Sequence, residues 1–302
     1  MVVRGMRVAI TGATGLIGTP LVGALRQHGH TVTRLVRKAA TSGDRQWDPT
    51  AASLDPSLLS GIDTVIHLAG AGIGDHRWTN EYKALIRSSR VQSTNLLARA
   101  MAAADGPKVL LSGSAIGIYG DRSDEQLDET SELGSGFLAD VCREWEGATA
   151  PAESAGVRVV HLRTGIVLTP AGGALKKLLP LFRLGLGGRF GNGRQWQSWI
   201  SIDDEVAAIE SMLTSSVSGA VNLTAPNPVT NSEFSRVLGK VLKRPALFPV
   251  PPLAPRLAVG RELADNLLFQ GQRVLAKALE ADGYHFQHPT LQSALTHLLK
   301  RR

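Results

Sequence analysis

The chain has 302 residues, of which 43% are hydrophobic and 20% charged, a composition that excludes an intrinsically disordered protein. The single cysteine, Cys142, excludes a disulfide framework and indicates a reducing compartment, which we expect to be the cytoplasm. No signal peptide and no run of about 18 apolar residues occurs, so we expect no contact with a membrane. The net charge of +7 is spread along the chain without a nucleic-acid-binding motif, which favours a small anionic ligand over nucleic acid.

Short apolar runs alternate with helical patterns through about residue 165. Strands are predicted at 8–10, 32–36, 64–69, 109–112 and 157–160, and helices at 16–28 and 81–103. This alternation predicts an α/β fold of the Rossmann type, in which a doubly wound parallel sheet carries helices on both faces.

After about residue 170, segments rich in glycine and proline separate shorter helices, and residues 221–223 form one last predicted strand. We expect residues 1–169 and 198–224 to form a dinucleotide-binding domain. Residues 170–197 and 225–302 would form a smaller, mostly helical part that binds the substrate.

A glycine-rich loop lies between the first predicted strand and its helix, with the sequence TGATGLIG at residues 11–18. Glycines also mark ordinary turns, but here a buried strand precedes the loop and an amphipathic helix begins inside it. Gly12 would make the tight turn, Gly15 would let a pyrophosphate approach the backbone, and Gly18 would let helix and strand pack closely. The helix N-terminus would then bind the phosphates. The expected cofactor contacts in this loop are Gly12, Thr14, Gly15, Leu16, Ile17 and Gly18.

The end of the second strand distinguishes NADP from NAD. An acidic residue there would accept hydrogen bonds from the ribose 2′-hydroxyl of NAD, but this strand ends in Val36, Arg37 and Lys38. Arg37 can bind a 2′-phosphate with charge-assisted hydrogen bonds. The alternative is a solvated basic pair at the end of a strand. We therefore expect NADP as cofactor, with NADPH preferred over NADH.

The loop motif, the strand 65–70 and the segment from Ser112 to Gly120 together resemble the extended short-chain dehydrogenase/reductase superfamily of the NAD-dependent epimerase/dehydratase type. Segments 162–168 and 199–204 are similar to two later motifs of that superfamily. Further motifs resemble an atypical branch whose members are called epimerase family proteins: Trp47-Asp48-Pro49, Ser89-Arg90-Val91, Trp145-Glu146, the segment 184–199 and the tail 226–298.

The resemblance implies further contacts with the cofactor. Leu68, Ala69 and Gly70 would line it where their strand ends, and Val167 would meet its nicotinamide half. Arg90 occupies a helix position where ordinary members carry a structural asparagine, and we expect it to contact the cofactor. The alternative for Arg90 is an exposed charge on the helix.

The resemblance also implies a departure from the usual chemistry. Ordinary members use a serine or threonine together with a tyrosine that lies four residues before a lysine, and the lysine lowers the pKa of the tyrosine. Ser114 matches the serine, but Leu138 stands at the tyrosine position and Cys142 at the lysine position. Neither replacement can perform that role, so Ser114 is the one predicted catalytic residue. Tyr119, a water molecule or the substrate would have to supply the proton.

The substrate is not fixed by these motifs. Gln197 stands where sugar-nucleotide members carry an arginine for the diphosphate, and the alternatives for that role are Arg189 and Arg194. The rings of Trp78, Trp196 and Trp199 would either stack on a substrate or pack the junction between the two parts.

Two functions compete. The first is an NADP(H)-binding oxidoreductase or epimerase-like protein acting on a small carbonyl or sugar-like compound, and the second is a catalytically inactive NADPH-binding regulatory or scaffolding protein. No metal site is predicted, because the histidines show no ligand spacing. A homodimer is compatible with either function.

Overall fold

The computed structural model describes residues 5–38, 43–246 and 249–300. In chain order, its strands are β1 (Arg7–Thr11), β2 (Thr31–Val36), β3 (Arg45–Gln46), β4 (Thr64–His67), β5 (Val109–Ala115), β6 (Gln126–Leu127), β7 (Arg158–Thr164), β8 (Ile166–Leu168), β9 (Trp196–Gln197), β10 (Trp199–Ser201), β11 (Gly219–Leu223), β12 (Val229–Thr230) and β13 (Arg273–Val274).

Its α-helices are α1 (Gly18–Gln27), α2 (Asn80–Ala103), α3 (Phe137–Gly147), α4 (Ala150–Ser154), α5 (Gly173–Arg183), α6 (Ile202–Ser211), α7 (Asn231–Leu242), α8 (Leu253–Val259), α9 (Arg261–Ala264), α10 (Lys277–Ala281) and α11 (Leu291–Lys300). Short 3-10 turns cover Pro56–Leu59 and Ile116–Tyr119. A π-helical turn covers Asp265–Phe269.

Seven strands form one parallel sheet in the order β11-β7-β5-β4-β1-β2-β3. From β1 the chain adds β2 and β3 toward one edge of the sheet, and from β4 it adds β5, β7 and β11 toward the other edge. This change of direction between the neighbours β1 and β4 is the arrangement of a doubly wound Rossmann-like sheet. The predicted fold class is confirmed. The boundaries of the two parts stay a prediction.

Two apolar layers hold helices on the sheet, and successive residues of β1 alternate between them. Val8 and Ile10 pack with Leu21 and Leu25 of α1 on one face, whereas Ala9 packs with α2 on the other. Because side chains alternate along a strand, three consecutive apolar residues mark a strand that is buried on both faces. The burial of β1 on both faces explains why the apolar run 8–10 predicted a strand of a parallel sheet.

A third apolar cluster joins α5, α7 and α11 through buried residues such as Leu179, Leu238 and Leu295. Between α9 and α10, β13 pairs in parallel with β6 and forms a separate two-stranded sheet. Among the described residues, none of the helices combines the length and apolar character needed to cross a membrane.

Candidate functional site

The crevice between β1 and β4 lies at the point where the strand order reverses. Thr11 at the end of β1 is in register with His67 at the end of β4. Gly12 follows with a positive φ of 67°, and a Cβ atom added there would lie 2.6 Å from the carbonyl oxygen of Leu68. Only glycine fits this position, since a side chain would be strained and would also collide with the chain after β4.

The glycine loop leaves the N-terminus of α1 open to an anion. The amide of Gly15 donates to the Gly12 carbonyl at 2.9 Å and closes the turn. Within the described chain, α1 has no side-chain cap at Ile17 and no acidic residue in its first turn. Gly18 is buried where a Cβ would overlap the backbone of Gly12 and Ala13. Exposed Thr14, Gly15 and Leu16 therefore border a helix end whose dipole favours a phosphate.

A buried histidine connects the start of this loop to α2 through two hydrogen bonds. Thr11 Oγ1 lies 2.6 Å from His67 Nδ1, and His67 Nε2 lies 3.1 Å from Ser93 Oγ. Because the Ser93 hydroxyl donates to the Ser89 carbonyl at 2.7 Å, Ser93 accepts from His67 Nε2 and Thr11 donates to Nδ1. Burial lowers the pKa of His67 to about 4, so the ring is neutral at pH 7.

Arg37 and Lys38 are exposed at the end of β2. Arg37 lines a pocket of about 370 Å³ together with Gln46, Trp47 and Asp48. The sequence indicated no carboxylate at the end of β2, but the chain returns along β3 and brings Asp48 to the same pocket. Asp48 accepts hydrogen bonds from the amide and hydroxyl of Thr50 at 2.8 and 2.7 Å. The pocket therefore combines a guanidinium for phosphate with a carboxylate that can accept hydrogen bonds.

Arg90 lies against the chain that follows β4. A Cβ added at Gly70 would lie 3.3 Å from its guanidinium carbon, and that carbon is 5.1 Å from the ring centre of Trp145. Arg90 Nη1 donates to the Ile86 carbonyl at 3.0 Å. Arg90 is half-buried, which disfavours the alternative of an exposed helix charge. No carboxylate among the described residues forms an ion pair with this guanidinium, so it remains able to bind an anion.

The remaining residues expected to contact the cofactor are half-buried or buried, apart from the exposed Leu16. Leu68 and Ala69 are half-buried after β4, and Val36 is half-buried at the end of β2. Val167 in β8 is buried in the same apolar cluster as Ala13 of the glycine loop. Leu16 packs against the chain beside α5, where it would meet a Cβ added at Gly172.

Ser114 lies within β5, not beyond its end as the sequence predicted, because β7 continues the ladder and pairs Arg163 with Ser114. The Ser114 hydroxyl donates to Glu146 Oε1 at 2.6 Å. Arg163 binds both oxygens of that carboxylate at 2.9 Å. Burial opposes the charge of Glu146, but the hydrogen bonds and charge of Arg163 outweigh burial and hold its pKa below the ordinary value. The site therefore contains an ionised carboxylate in contact with Ser114.

The Tyr119 hydroxyl is already hydrogen-bonded to Asn222 and Arg163. Its hydroxyl donates to Asn222 Oδ1 at 2.8 Å and accepts from Arg163 Nη1 at 2.9 Å. Burial raises its pKa, and the side chain is fully buried. This phenol holds the Arg163 guanidinium in place and has no proton free for a substrate.

The two helix positions that carry the catalytic pair in ordinary members hold Leu138 and Cys142 here. Leu138, Cys142 and Glu146 lie four residues apart on α3 and therefore on one face. Burial raises the pKa of Cys142 to about 12, so its thiol is neutral. Leu138 packs beside Gly117. Neither side chain can move a proton at neutral pH, in agreement with the sequence analysis.

The tryptophans differ in their surroundings. Trp199 is fully buried and donates to the Asn227 carbonyl, so it packs the interior and cannot stack on a substrate. Trp78 and Trp196 are half-buried. The Trp196 ring is already covered by the guanidinium of Arg273, whose central carbon lies 4.4 Å from the ring centre.

Residues 8–224 match the family model described as the NAD dependent epimerase/dehydratase family. The chain belongs to this family. Nucleotide binding is the shared property of these epimerases and dehydratases, and the resemblance found in the sequence is confirmed. Residues 250–298 match a second model, described as a domain of unknown function.

Relatives of this epimerase/dehydratase-family chain align with it almost from end to end. An epimerase family protein of Mycobacterium bovis is 46% identical over 296 residues, covering 97% of this chain and 98% of that protein. The human epimerase family protein SDR39U1 is 36% identical over 300 residues, covering 97% and 100%.

Two solved structures of similar proteins share the fold. The crystal structure of human SDR39U1 (isoform 2) with NADPH has a TM-score of 0.91 at 34% identity, covering 98% of this chain and 100% of that one. A nucleoside-diphosphate sugar epimerase from Corynebacterium glutamicum has a TM-score of 0.81 at 39% identity, and the match covers 98% of this chain but 58% of that longer one.

Proposed function

We propose that this chain is an NADP(H)-dependent oxidoreductase that acts on a small carbonyl or sugar-like compound. The observation that carries the proposal is the pair Arg37 and Lys38, exposed at the end of β2 beside the pocket lined by Trp47 and Asp48. A guanidinium and an ammonium at this position provide charge-assisted hydrogen bonds for a 2′-phosphate.

The rest of the crevice fits the same dinucleotide. Gly12 and Gly18 leave no room for a Cβ atom, which keeps the backbone close to the pyrophosphate position at the N-terminus of α1. Arg90 adds a further positive charge beside Gly70. The crystal structure of human SDR39U1 contains NADPH, and its likeness over the whole chain supports the same cofactor here.

When bound, the cofactor supplies or accepts the hydride. In the oxidation direction, the Ser114 oxygen can accept from a substrate hydroxyl while its own hydroxyl donates to Glu146, and the proton that leaves the substrate would pass through Ser114 to Glu146. In the reduction direction, Ser114 would donate its proton to the substrate oxygen and would regain one from solvent, because Arg163 keeps Glu146 ionised. Since a carboxylate bound to Arg163 is a weak base and carries no proton to return to Ser114, we expect slow turnover in both directions.

A second function is favoured by a specific observation. Leu138 and Cys142 occupy the positions that would carry the tyrosine and lysine, and the phenol of Tyr119 donates to Asn222. A protein with this interior would bind NADPH and act as a regulatory or scaffolding partner without turnover.

Turnover separates the two functions. The purified chain is mixed with NADPH and a panel of aldehydes, ketones and keto sugars, and oxidation of NADPH is followed by its absorbance. We expect oxidation with at least one compound, and the rate should fall in Arg37→Asp but not in Arg99→Asp, which changes an exposed arginine on α2. NADPH binding without oxidation of any compound favours the regulatory function, and absence of NADPH binding contradicts both.

A further inference from the structure

Three side chains with metal-binding atoms converge where the tail of the chain meets α6. Asp203 lies in the first turn of α6, His288 lies just before α11, and His297 lies in the last turn of α11. His297 Nε2 is 3.2 Å from Asp203 Oδ2, and His288 Nε2 is 3.9 Å from the same oxygen. One ligand atom from each of the three residues lies within 4.8 Å of the other two.

The backbone around the cluster is fixed independently of these side chains. Asp204, which is fully buried, accepts from the amides of Gln287 and His288 at 2.7 and 3.1 Å and from the Tyr284 hydroxyl at 3.1 Å. These bonds hold His288 beside α6. The neighbouring helix α11 is anchored by its own buried leucines in the cluster with α5 and α7, which positions His297.

The distances between the ligand atoms suit an ion with tetrahedral coordination. Ligands at about 2.0–2.1 Å from Zn²⁺ lie about 3.3–3.4 Å from one another in tetrahedral geometry. The distance from His297 Nε2 to Asp203 Oδ2 lies close to this value. The distance from His288 Nε2 is longer, so a rotation of the His288 side chain toward Asp203 would complete the site. The imidazole rings are 4.5 Å apart and tilted by 33°. Each imidazole has one ring nitrogen with a lone pair, so two neighbouring rings can both bind one cation.

We propose that Asp203, His288 and His297 bind a Zn²⁺ ion that ties the tail of the chain to α6. Two imidazoles and one carboxylate form a ligand set that zinc accepts, with water in the fourth position. His297 and Asp203 are both partly exposed, so the ion can enter from solvent. The site joins the two regions matched by separate family models, since Asp203 lies in the first and both histidines lie in the second.

Zinc binding by the full chain tests this proposal. The protein is stripped with a chelator and titrated with zinc chloride alone, by calorimetry and by thermal unfolding. We expect one Zn²⁺ per chain and a rise in Tm that a chelator reverses. Cobalt(II) should give the visible absorption of a tetrahedral site.

His297→Ala and Asp203→Asn should weaken zinc binding at least tenfold and abolish the Tm rise. His297→Gln, which keeps a long polar side chain but removes the imidazole, should give the same loss if the alanine variant does not fold. The matched control is His285→Ala, since His285 is exposed three residues before His288. The proposal is overturned if the wild-type chain does not bind zinc, or if His297→Gln binds it as tightly as the wild type. In that event the cluster is a hydrogen-bonded group of side chains only.

Discussion

The hydroxyl of Ser114 donates to the carboxylate of Glu146 over 2.6 Å, and this hydrogen bond determines which proton transfers the two residues can make. A hydroxyl has one proton, so Ser114 can accept from a substrate while it donates to Glu146. It can donate to a substrate only if the bond to Glu146 breaks. Glu146 in turn stays charged because Arg163 binds both of its oxygens.

Ser114→Ala should lower the rate of NADPH oxidation by about 10²–10³-fold, the usual effect of losing a hydrogen bond to the reacting oxygen. NADPH affinity should stay nearly unchanged. Ser112→Ala, a buried change on the same strand, is the control and should keep the rate. Steady-state rates and titrations measure both quantities, and an unaltered rate in Ser114→Ala would remove this residue from the mechanism.

Gly15→Val should abolish dinucleotide binding and leave the chain folded. A Cβ at Gly15 would lie 3.2 Å from the Gly12 carbonyl oxygen, and the two methyl groups would occupy the space that a pyrophosphate needs. Gly23→Val is the control, because a Cβ there has no neighbour within 4 Å. Calorimetric titration and circular dichroism test the pair, and wild-type affinity in Gly15→Val would show that the loop is only a turn.

His67 should make the chain less stable as the pH falls. Its pKa is lowered from 6.5 to about 4 in the folded state, so the unfolded state binds more protons between these values. The free energy of unfolding therefore decreases from pH 6.5 to pH 4, by about 3 kcal/mol from this group. Urea unfolding of wild type and His67→Gln across this window should show a smaller decrease in the variant. Parallel curves would contradict the assignment of a buried neutral ring.

Glu205 should make the chain less stable as the pH rises, the opposite of the effect of His67. The carboxyl is fully buried and accepts from Thr164 Oγ1 at 2.9 Å, and burial raises its pKa from 4.5 to about 8. The folded state therefore binds more protons between pH 4.5 and 8, and stability is lost as the pH rises through this window. Glu205→Gln should be more stable than the wild type by about 3 kcal/mol at pH 7. Urea unfolding at pH 4.5 and pH 8 checks this, and an equal difference at both values would contradict it.

The local patterns predicted the fold and the nucleotide loop, whereas long-range contacts decided the rest of the site. The alternation of Val8, Ala9 and Ile10 and the spacing of Gly12, Gly15 and Gly18 are properties of adjacent residues, so a sequence displays them. The Glu146–Arg163 pair forms because α3 packs against β5, which pairs with β7.

Two further features depend on segments that only the folded chain brings together. Asp48 reaches the Arg37 pocket because β3 pairs with β2. Asp203 meets His288 and His297 because the tail returns to α6. No spacing in the sequence connects these residues, and the histidines alone show no ligand motif.

The most direct test of the proposed function is a calorimetric titration of the chain with NADPH and with NADH. We expect tighter binding of NADPH, because Arg37 and Lys38 would bind the 2′-phosphate. Arg37→Asp should weaken NADPH binding by about 1.5–3 kcal/mol and spare NADH. Equal affinity for the two cofactors, or a preference for NADH, would contradict the account and assign the pocket to ribose hydroxyls held by Asp48.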